Sequence, residues 1–237
     1  MVSAVIVAAG KGTRMGPGMD KLFLELNGWP VVAHTWAAFN SSPEIEQIIM
    51  VVRDGMQPAF TEMAARFGFA KPWRLVPGGK ERQDSVWNGL EALGPEDGIV
   101  AIQDAARPCT SGGLIAATIE AARETGAAVA AQAIVDTVKE SADGRLVGRT
   151  LDRSRLWAVQ TPQTFRLSVI RRALDEVRAR GLHITDDTAA CELIGQPVRL
   201  VVSPEPNPKV TRREDLPFIE SLLRGRKAES PRNLNTS

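Results

Sequence analysis

The chain has 237 residues, with 43% hydrophobic and 24% charged, a balance that excludes a wholly disordered protein and is long enough for one α/β domain or two small ones. Twenty-nine Lys and Arg offset 28 Asp and Glu, so no broad positive field draws a nucleic acid. The two cysteines, Cys109 and Cys191, have neither a CxxC spacing nor a nearby His, which argues against a zinc site or disulfide framework and fits a reducing compartment.

The start, MVSAVIVAAG, lacks a basic leader, and no window approaches the ~18 apolar residues of a membrane span. A cytoplasmic protein without membrane contact is expected. Residues 2–8, VSAVIVA, read as a strand buried on both faces, and glycines follow it at once. Pro30 opens a helix with Val32, Trp36 and Phe39 on one face. A strand over Glu44 to Val52 and a helix carrying Phe60, Met63, Ala64 and Phe67 come next. Trp73 to Val76 reads as a short strand, Gly78-Gly79 as a turn, and Val86, Leu90 and Leu93 as a helix face. Ile99 to Gln103 is the next strand, and Ile115, Ile119 and Ala122 mark the next helix.

Strands alternating with helices across short loops imply βαβ units with right-handed crossovers. The expected fold class is α/β, a Rossmann-like three-layer sandwich with a mostly parallel sheet. Ligands of such sheets sit at the carboxyl ends of the strands. After Ala127 to Ala133 the pattern breaks. Residues 134–152 alternate without a helical period and turn at Asp143-Gly144, which predicts a β-hairpin arm inserted into the sheet. A partner subunit or the arm's own domain would have to cover it. Helical spacing returns at Leu167, Ile170, Leu174 and Val177 and in DDTAACELIG; VRLVVSP is a late strand, and a last helix runs from about Arg212 to Leu223. Residues 1–224 are expected to be one domain and 225–237 a polar, flexible tail.

The loop after the first strand, GKGTRMG, carries Gly10, Gly12 and Gly16 with Lys11 and Arg14. A dinucleotide fingerprint fails because Met15 stands where the third glycine belongs, and a Walker A loop fails because no Gly-Lys-Ser/Thr occurs there. Turn glycines alone would account for such a loop. The alternative is backbone N–H groups cradling phosphate, with Arg14 and Lys21 adding full charges.

Ala8-Ala9-Gly10, Arg14-Met15 and Lys21-Leu22-Phe23 together resemble the signature of the sugar-phosphate nucleotidyltransferases. Later segments narrow the likeness: GGKERQDSV from Gly78, QDAARP from Gln103, VDTVK from Val135, LWAVQTPQ from Leu156, ITDD from Ile184 and KVTRRED from Lys209. In this order they resemble the 2-C-methyl-D-erythritol 4-phosphate cytidylyltransferases over about Val2 to Leu223.

The resemblance implies CMP transfer from CTP to a polyol phosphate, with pyrophosphate released. It implies catalytic roles for Arg14, Lys21 and Lys209, and nucleotide contacts from Ala8, Ala9, Gly10, Lys11, Gly12, Gly79, Ser85, Asp104 and Ala105. On the acceptor side it implies Asp104, Arg107, Thr137, Arg153, Thr161 and Thr185. It further implies Mg²⁺, held mainly by CTP phosphates with Asp104 as the protein ligand, and a homodimer through the arm.

Each residue also has a plainer reading. Asp104 and Arg107 could be a satisfied ion pair, Thr185-Asp186 a helix N-cap, and Lys209 a solvated cation. Neither His34 nor His183 needs a catalytic role. Two positions depart from the family's pattern, Gln103 in place of a frequent His and Lys80 in place of a frequent acid. A ribitol-5-phosphate cytidylyltransferase is the nearest rival, disfavoured by the small Ala105-Ala106 pair; a non-catalytic nucleotide-binding protein is the other.

Overall fold

The structure is a computed structural model that describes residues 1–10, 20–94 and 97–229, with side chains to 225. In chain order the elements are β1 (Val2–Ala8), a 3-10 turn at Lys21–Phe23, the small hairpin β2 (Glu25–Leu26) and β3 (Trp29–Pro30), α1 (Val31–Ser41) and β4 (Gln47–Val52). There follow α2 (Gln57–Phe67), β5 (Trp73–Pro77), α3 (Arg82–Glu91), β6 (Ile99–Asp104), α4 (Gly112–Thr125) and β7 (Ala127–Ala133). The arm holds β8 (Lys139–Glu140) and β9 (Arg149–Thr150), and the chain ends with β10 (Trp157–Arg166), α5 (Leu167–Ala179), α6 (Asp187–Leu193), β11 (Arg199–Val202) and α7 (Asp215–Glu229).

Seven strands form one sheet in the order β11-β7-β10-β6-β1-β4-β5. β5, β4, β1 and β6 run parallel, as do β11 and β7, and β10 lies antiparallel between β6 and β7. The expected α/β sandwich is therefore what the chain adopts. Alternation along β1 sorts its side chains to two cores. Ala4, Ile6 and Ala8 pack with Trp36 and Phe39 of α1, Phe60 of α2, Ile115 of α4 and Ile219 of α7. Val5 faces Val86 and Leu90 of α3 and Ile170 and Leu174 of α5 on the other side. Arg178 of α5 lies 4.2 Å over the Trp87 ring of α3, which fastens two helices of that layer to each other.

The departures from the sequence reading have local causes. β4 starts at Gln47, three residues later than expected; Glu46 just before it gives its N–H to the Val2 carbonyl at 2.9 Å and takes the Val2 N–H on its side-chain carboxylate at 2.7 Å, in place of a second backbone bond. Leu93 lies beyond the end of α3, although it is buried. α7 starts at Asp215, whose carboxylate accepts from the N–H groups of Thr211 and Arg212, and it runs to Glu229, five residues into the stretch read as a tail. Residues 230–237 lie outside the described residues. The arm is a hairpin, but β8 and β9 form a separate ladder of two residue pairs rather than part of the main sheet. Its turn is built by Asp143, which accepts from the N–H groups of Arg145 and Leu146, with Gly144 at φ +70°.

Candidate active site

Because β1, β4, β5 and β6 run parallel, their carboxyl ends open on one edge, and the loops that follow them converge there. A cavity of about 380 Å³ lies at that edge, lined by Ala9, Gly10, Lys21, Gly79, Lys80, Arg82, Ser85, Asp104, Ala105 and Lys209 among others. A smaller one of about 180 Å³ adjoins it, with Arg107, Gln160, Thr161, Gln163, Thr185 and Asp186 in its walls.

The glycine pair of the larger cavity is demanded by space. A Cβ on Gly78 would lie 2.2 Å from the Cβ of Ala9, and one on Gly79 would lie 2.2 Å from the Cβ of Asp84. The loop therefore lies flat against the end of β1 and the start of α3. Ser85 fixes it from below, accepting from the Gly79 N–H at 3.0 Å and donating to the Glu81 carbonyl at 3.1 Å. Ser85 is thus buried as a loop support.

Asp104 ends β6 at the border of the two cavities. Its Oδ2 accepts from Lys209 Nζ at 2.6 Å and lies 3.8 Å from Arg107 Nε, while its Oδ1 is 3.4 Å from Arg82 Nε. Burial works against the charge, yet Lys209, Arg82 and Arg107 together hold this carboxyl well below the usual carboxylate range. Arg82 also reaches the fully buried Asp187 at 2.8 Å. Burial pushes the Asp187 carboxyl up, with Arg82 opposing. For Arg82, burial weakens the charge, but the fields of Asp187 and Asp104 prevail and raise its pKa.

A buried polar network stands behind this cluster. Thr161 Oγ1 accepts from the Asp104 N–H at 3.1 Å, and its carbonyl accepts from Asn207 Nδ2 at 2.8 Å. Thr110 Oγ1 donates to Asn207 Oδ1 at 3.1 Å and accepts from Gln103 Nε2 at 2.9 Å. Arg107 Nη1 donates to the Asn207 carbonyl at 2.7 Å. Gln103, the departure from the family's pattern, is fully buried and supports this loop from within. Lys21 Nζ donates to the Val210 carbonyl at 2.9 Å, so the segment that carries Lys209 also meets the start of the chain.

The expected residues fall into four groups. Ala9, Gly10, Lys21, Gly79, Ser85, Asp104, Ala105 and Lys209 meet at the larger cavity, with Ala8 buried beside it at the end of β1. Asp104, Arg107, Thr161, Thr185 and Lys209 meet at the smaller one. Thr137 and Arg153 lie on the exposed arm and line neither; Arg153 donates to the Val135 carbonyl. Lys11, Gly12 and Arg14 lie outside the described residues.

The plainer readings fare unevenly. Asp186 does cap α6, accepting from the Ala189 N–H at 3.1 Å, whereas Lys209 is ion-paired rather than merely solvated. His34 Nε2 is 2.8 Å from the Leu26 carbonyl, remote from both cavities. The sequence reading missed Arg82, Asp187, Gln163 and Asn207. Arg82, Gln163 and Asp187 all fall inside segments that carried the family likeness, but no role was read for them, and Asn207 had no signal. Among the described residues no three His, Cys, Asp or Glu side chains gather as a metal site.

The sequence profile of the 2-C-methyl-D-erythritol 4-phosphate cytidylyltransferase (IspD) family matches residues 2–225. A protein of that name from Pelotomaculum thermopropionicum is 43% identical over 226 residues, covering 95% of each chain. A crystal structure of 4-diphosphocytidyl-2C-methyl-D-erythritol synthase from Anaerococcus prevotii superposes with TM-score 0.83 at 30% identity, covering 94% of this chain and 96% of that one. The Thermus thermophilus 2-C-methyl-D-erythritol 4-phosphate cytidylyltransferase superposes with TM-score 0.78 at 32% identity, covering 94% and 100%.

Proposed function

This chain belongs to the 2-C-methyl-D-erythritol 4-phosphate cytidylyltransferase family, and from that premise we infer how its residues divide the work. The reaction is transfer of CMP from CTP to 2-C-methyl-D-erythritol 4-phosphate, giving 4-diphosphocytidyl-2-C-methyl-D-erythritol and pyrophosphate in isoprenoid precursor synthesis. A phosphate oxygen of the acceptor bonds to the α-phosphorus of CTP as the bond from that phosphorus to the β-bridging oxygen breaks. The acceptor phosphate needs no strong general base, since its second pKa is near ~6. What the reaction does need is charge opposite the crowded phosphates.

The larger cavity suits the nucleotide and the smaller one the acceptor. The observation that carries this reading is their shared border at Asp104 and Lys209. Lys21, with Arg14, neutralises the triphosphate at the reacting phosphorus, and Lys209 stands where both anions meet. Gly10, Gly79 and the backbone around them offer room for the nucleotide beside N–H donors. Ala105 and Ala106, directly after Asp104, keep the wall of the larger cavity small, which suits a branched, compact polyol phosphate beside the nucleotide. Residues 1–224 act as one catalytic unit, a reading supported by the unbroken sheet and the span of the family match.

Mg²⁺ fits as a passenger on CTP. Among the described residues Asp104 is the one carboxylate that lines both cavities, and it is already matched by three cations, so phosphate oxygens and water would hold most of the ion. When bound, the ion would withdraw charge from the phosphates. Dimerisation through the arm is supported by its exposed apolar side chains, Val135, Leu146 and Val147, at 80%, 76% and 64% exposure. Thr137 and Arg153 would then serve the neighbouring subunit's acceptor cavity. A cytoplasmic setting agrees with Cys109 and Cys191, both buried and in no disulfide; burial pushes the Cys191 thiol up to about 12. Among the described residues no helix is long and apolar enough to cross a membrane.

Purified protein supplied with CTP, Mg²⁺ and each acceptor separately tests the assignment. The expected result is pyrophosphate release with methylerythritol phosphate and little with ribitol 5-phosphate. A preference for ribitol phosphate would overturn the substrate, and CTP binding without pyrophosphate from either would overturn the activity.

A further inference from the structure

Among the described residues three line both cavities: Arg82, Asp104 and Lys209. Arg82 is the one without a part in the transfer described above. It opens α3 directly after the Gly79 loop of the nucleotide side, and its buried partner Asp187 opens α6 directly after the Thr185 loop of the acceptor side. One guanidinium therefore ties the two loops together and touches Asp104 between them.

The contacts around Asp104 give this bridge a task. In the present arrangement the nearest counter-charge of Asp104 is Lys209, at 2.6 Å. A phosphate entering at the border competes for that ammonium. A carboxylate that is only 12% exposed would then lose its closest partner, and a buried charge left unpaired is strongly unfavourable. Arg107 stands farther off, at 3.8 Å, and gives Nη1 to the Asn207 carbonyl. Arg82 is closer to Asp104, at 3.4 Å, and the buried Asp187 holds its guanidinium in place at 2.8 Å.

We propose that Arg82 is a positioning residue for the transfer: anchored by Asp187, it holds the Asp104 carboxylate at the border and supplies its counter-charge when Lys209 turns to the incoming phosphate. This rests on the reading of the two cavities given above. A Lys at this position keeps the charge, but a single ammonium does not reproduce the planar fork that meets two carboxylates at once.

Full-length Arg82→Lys, Arg82→Met, Asp187→Asn and the Arg82→Lys/Asp187→Asn double variant would be assayed with CTP and methylerythritol phosphate, with CTP affinity measured separately by calorimetry. Misplacing a reacting group by about 1 Å can cost ~100-fold, so Arg82→Lys is expected to raise the acceptor KM and lower kcat by ~10-fold or more in kcat/KM. CTP affinity should stay within ~3-fold, because the backbone donors of the nucleotide cavity are untouched. Asp187→Asn should shift the same constants in the same direction, and the double variant should be no worse than the poorer single one, since the two residues act as one unit. Arg82→Met should show the largest loss.

Arg82→Lys with kcat and both KM values within twofold of the unaltered enzyme would overturn the proposal. So would a variant that melts lower yet whose folded fraction turns over normally, which would mark a structural role alone. An unaltered protein that releases no pyrophosphate would sink the reading of the cavities and this inference with it; a fully active one with an indifferent Arg82→Lys would sink this inference alone.

Discussion

Asp104 and the arm at 134–152 hold their side chains in opposite ways. Asp104 is gripped by Arg82, Arg107 and Lys209, and its backbone is tied through Thr161 and Asn207 to two other segments. Thr137 stands on this hairpin and Arg153 directly after it, both exposed, and the hairpin has only two ladder pairs. The first region is ordered by its own chain, while the second has apolar residues and an arginine presented outward. Groups that must meet crowded phosphates with fixed geometry sit where burial fixes them. Groups on a projecting hairpin can complete a site only where another surface meets them.

The sharpest way to break this contrast is at Lys21. If its charge serves the reacting phosphorus as proposed, replacing it with Ala should lower kcat by ~100-fold or more while CTP affinity changes little. Steady-state rates beside calorimetric CTP titration check this; weakened CTP binding with unchanged turnover would place Lys21 in ground-state binding only.

Asn207→Ala tests the buried network next. It removes the Asn207 amide donor from the buried Thr161 carbonyl, while the Thr110 hydroxyl keeps the Arg107 carbonyl as acceptor, and should cost about 1–3 kcal/mol in denaturant unfolding. Arg153→Ala should by contrast stay within about 0.5 kcal/mol of the unaltered protein, as exposed substitutions do. If the two variants lost equal stability, the comparison between the regions would fail.

Acid gives the smallest, graded effect. The folded Asp104 carboxyl lies well below its ordinary value of 3.8, so between those points the unfolded chain binds more protons. Its stabilisation is complete above the ordinary carboxylate range and is lost as pH falls through that range toward the folded value. Urea midpoints recorded down an acid series should fall less steeply for Asp104→Asn; an unchanged slope would mean that Asp104 contributes nothing to the acid limb.

Much of the layered fold was legible, since helix faces such as Val32, Trp36 and Phe39 and the run Val2 to Ala8 carry their periods openly. β10 escaped because its buried middle is Gln160, Thr161, Gln163 and Thr164, polar side chains paired inside the protein rather than apolar ones. A period-two hydrophobic signal is missing from such a strand. The candidate site was legible where glycines and alanines crowd a strand end. Arg82 and Asp187 were not, since a charged residue at the first turn of a helix looks the same in sequence whether it faces water or lies buried against an opposite charge. That Asp187 is fully buried is a property of α6 packing, 105 residues away from Arg82 in the chain.

The most direct test of the account follows the oxygen atoms. Methylerythritol phosphate carrying heavy oxygen in its phosphate, turned over with CTP and Mg²⁺, should place all of the label in the nucleotide-linked product and leave the released pyrophosphate unlabelled. Release of CMP in place of pyrophosphate, or heavy oxygen in the pyrophosphate, would contradict attack at the α-phosphorus and with it the division of the two cavities at Asp104.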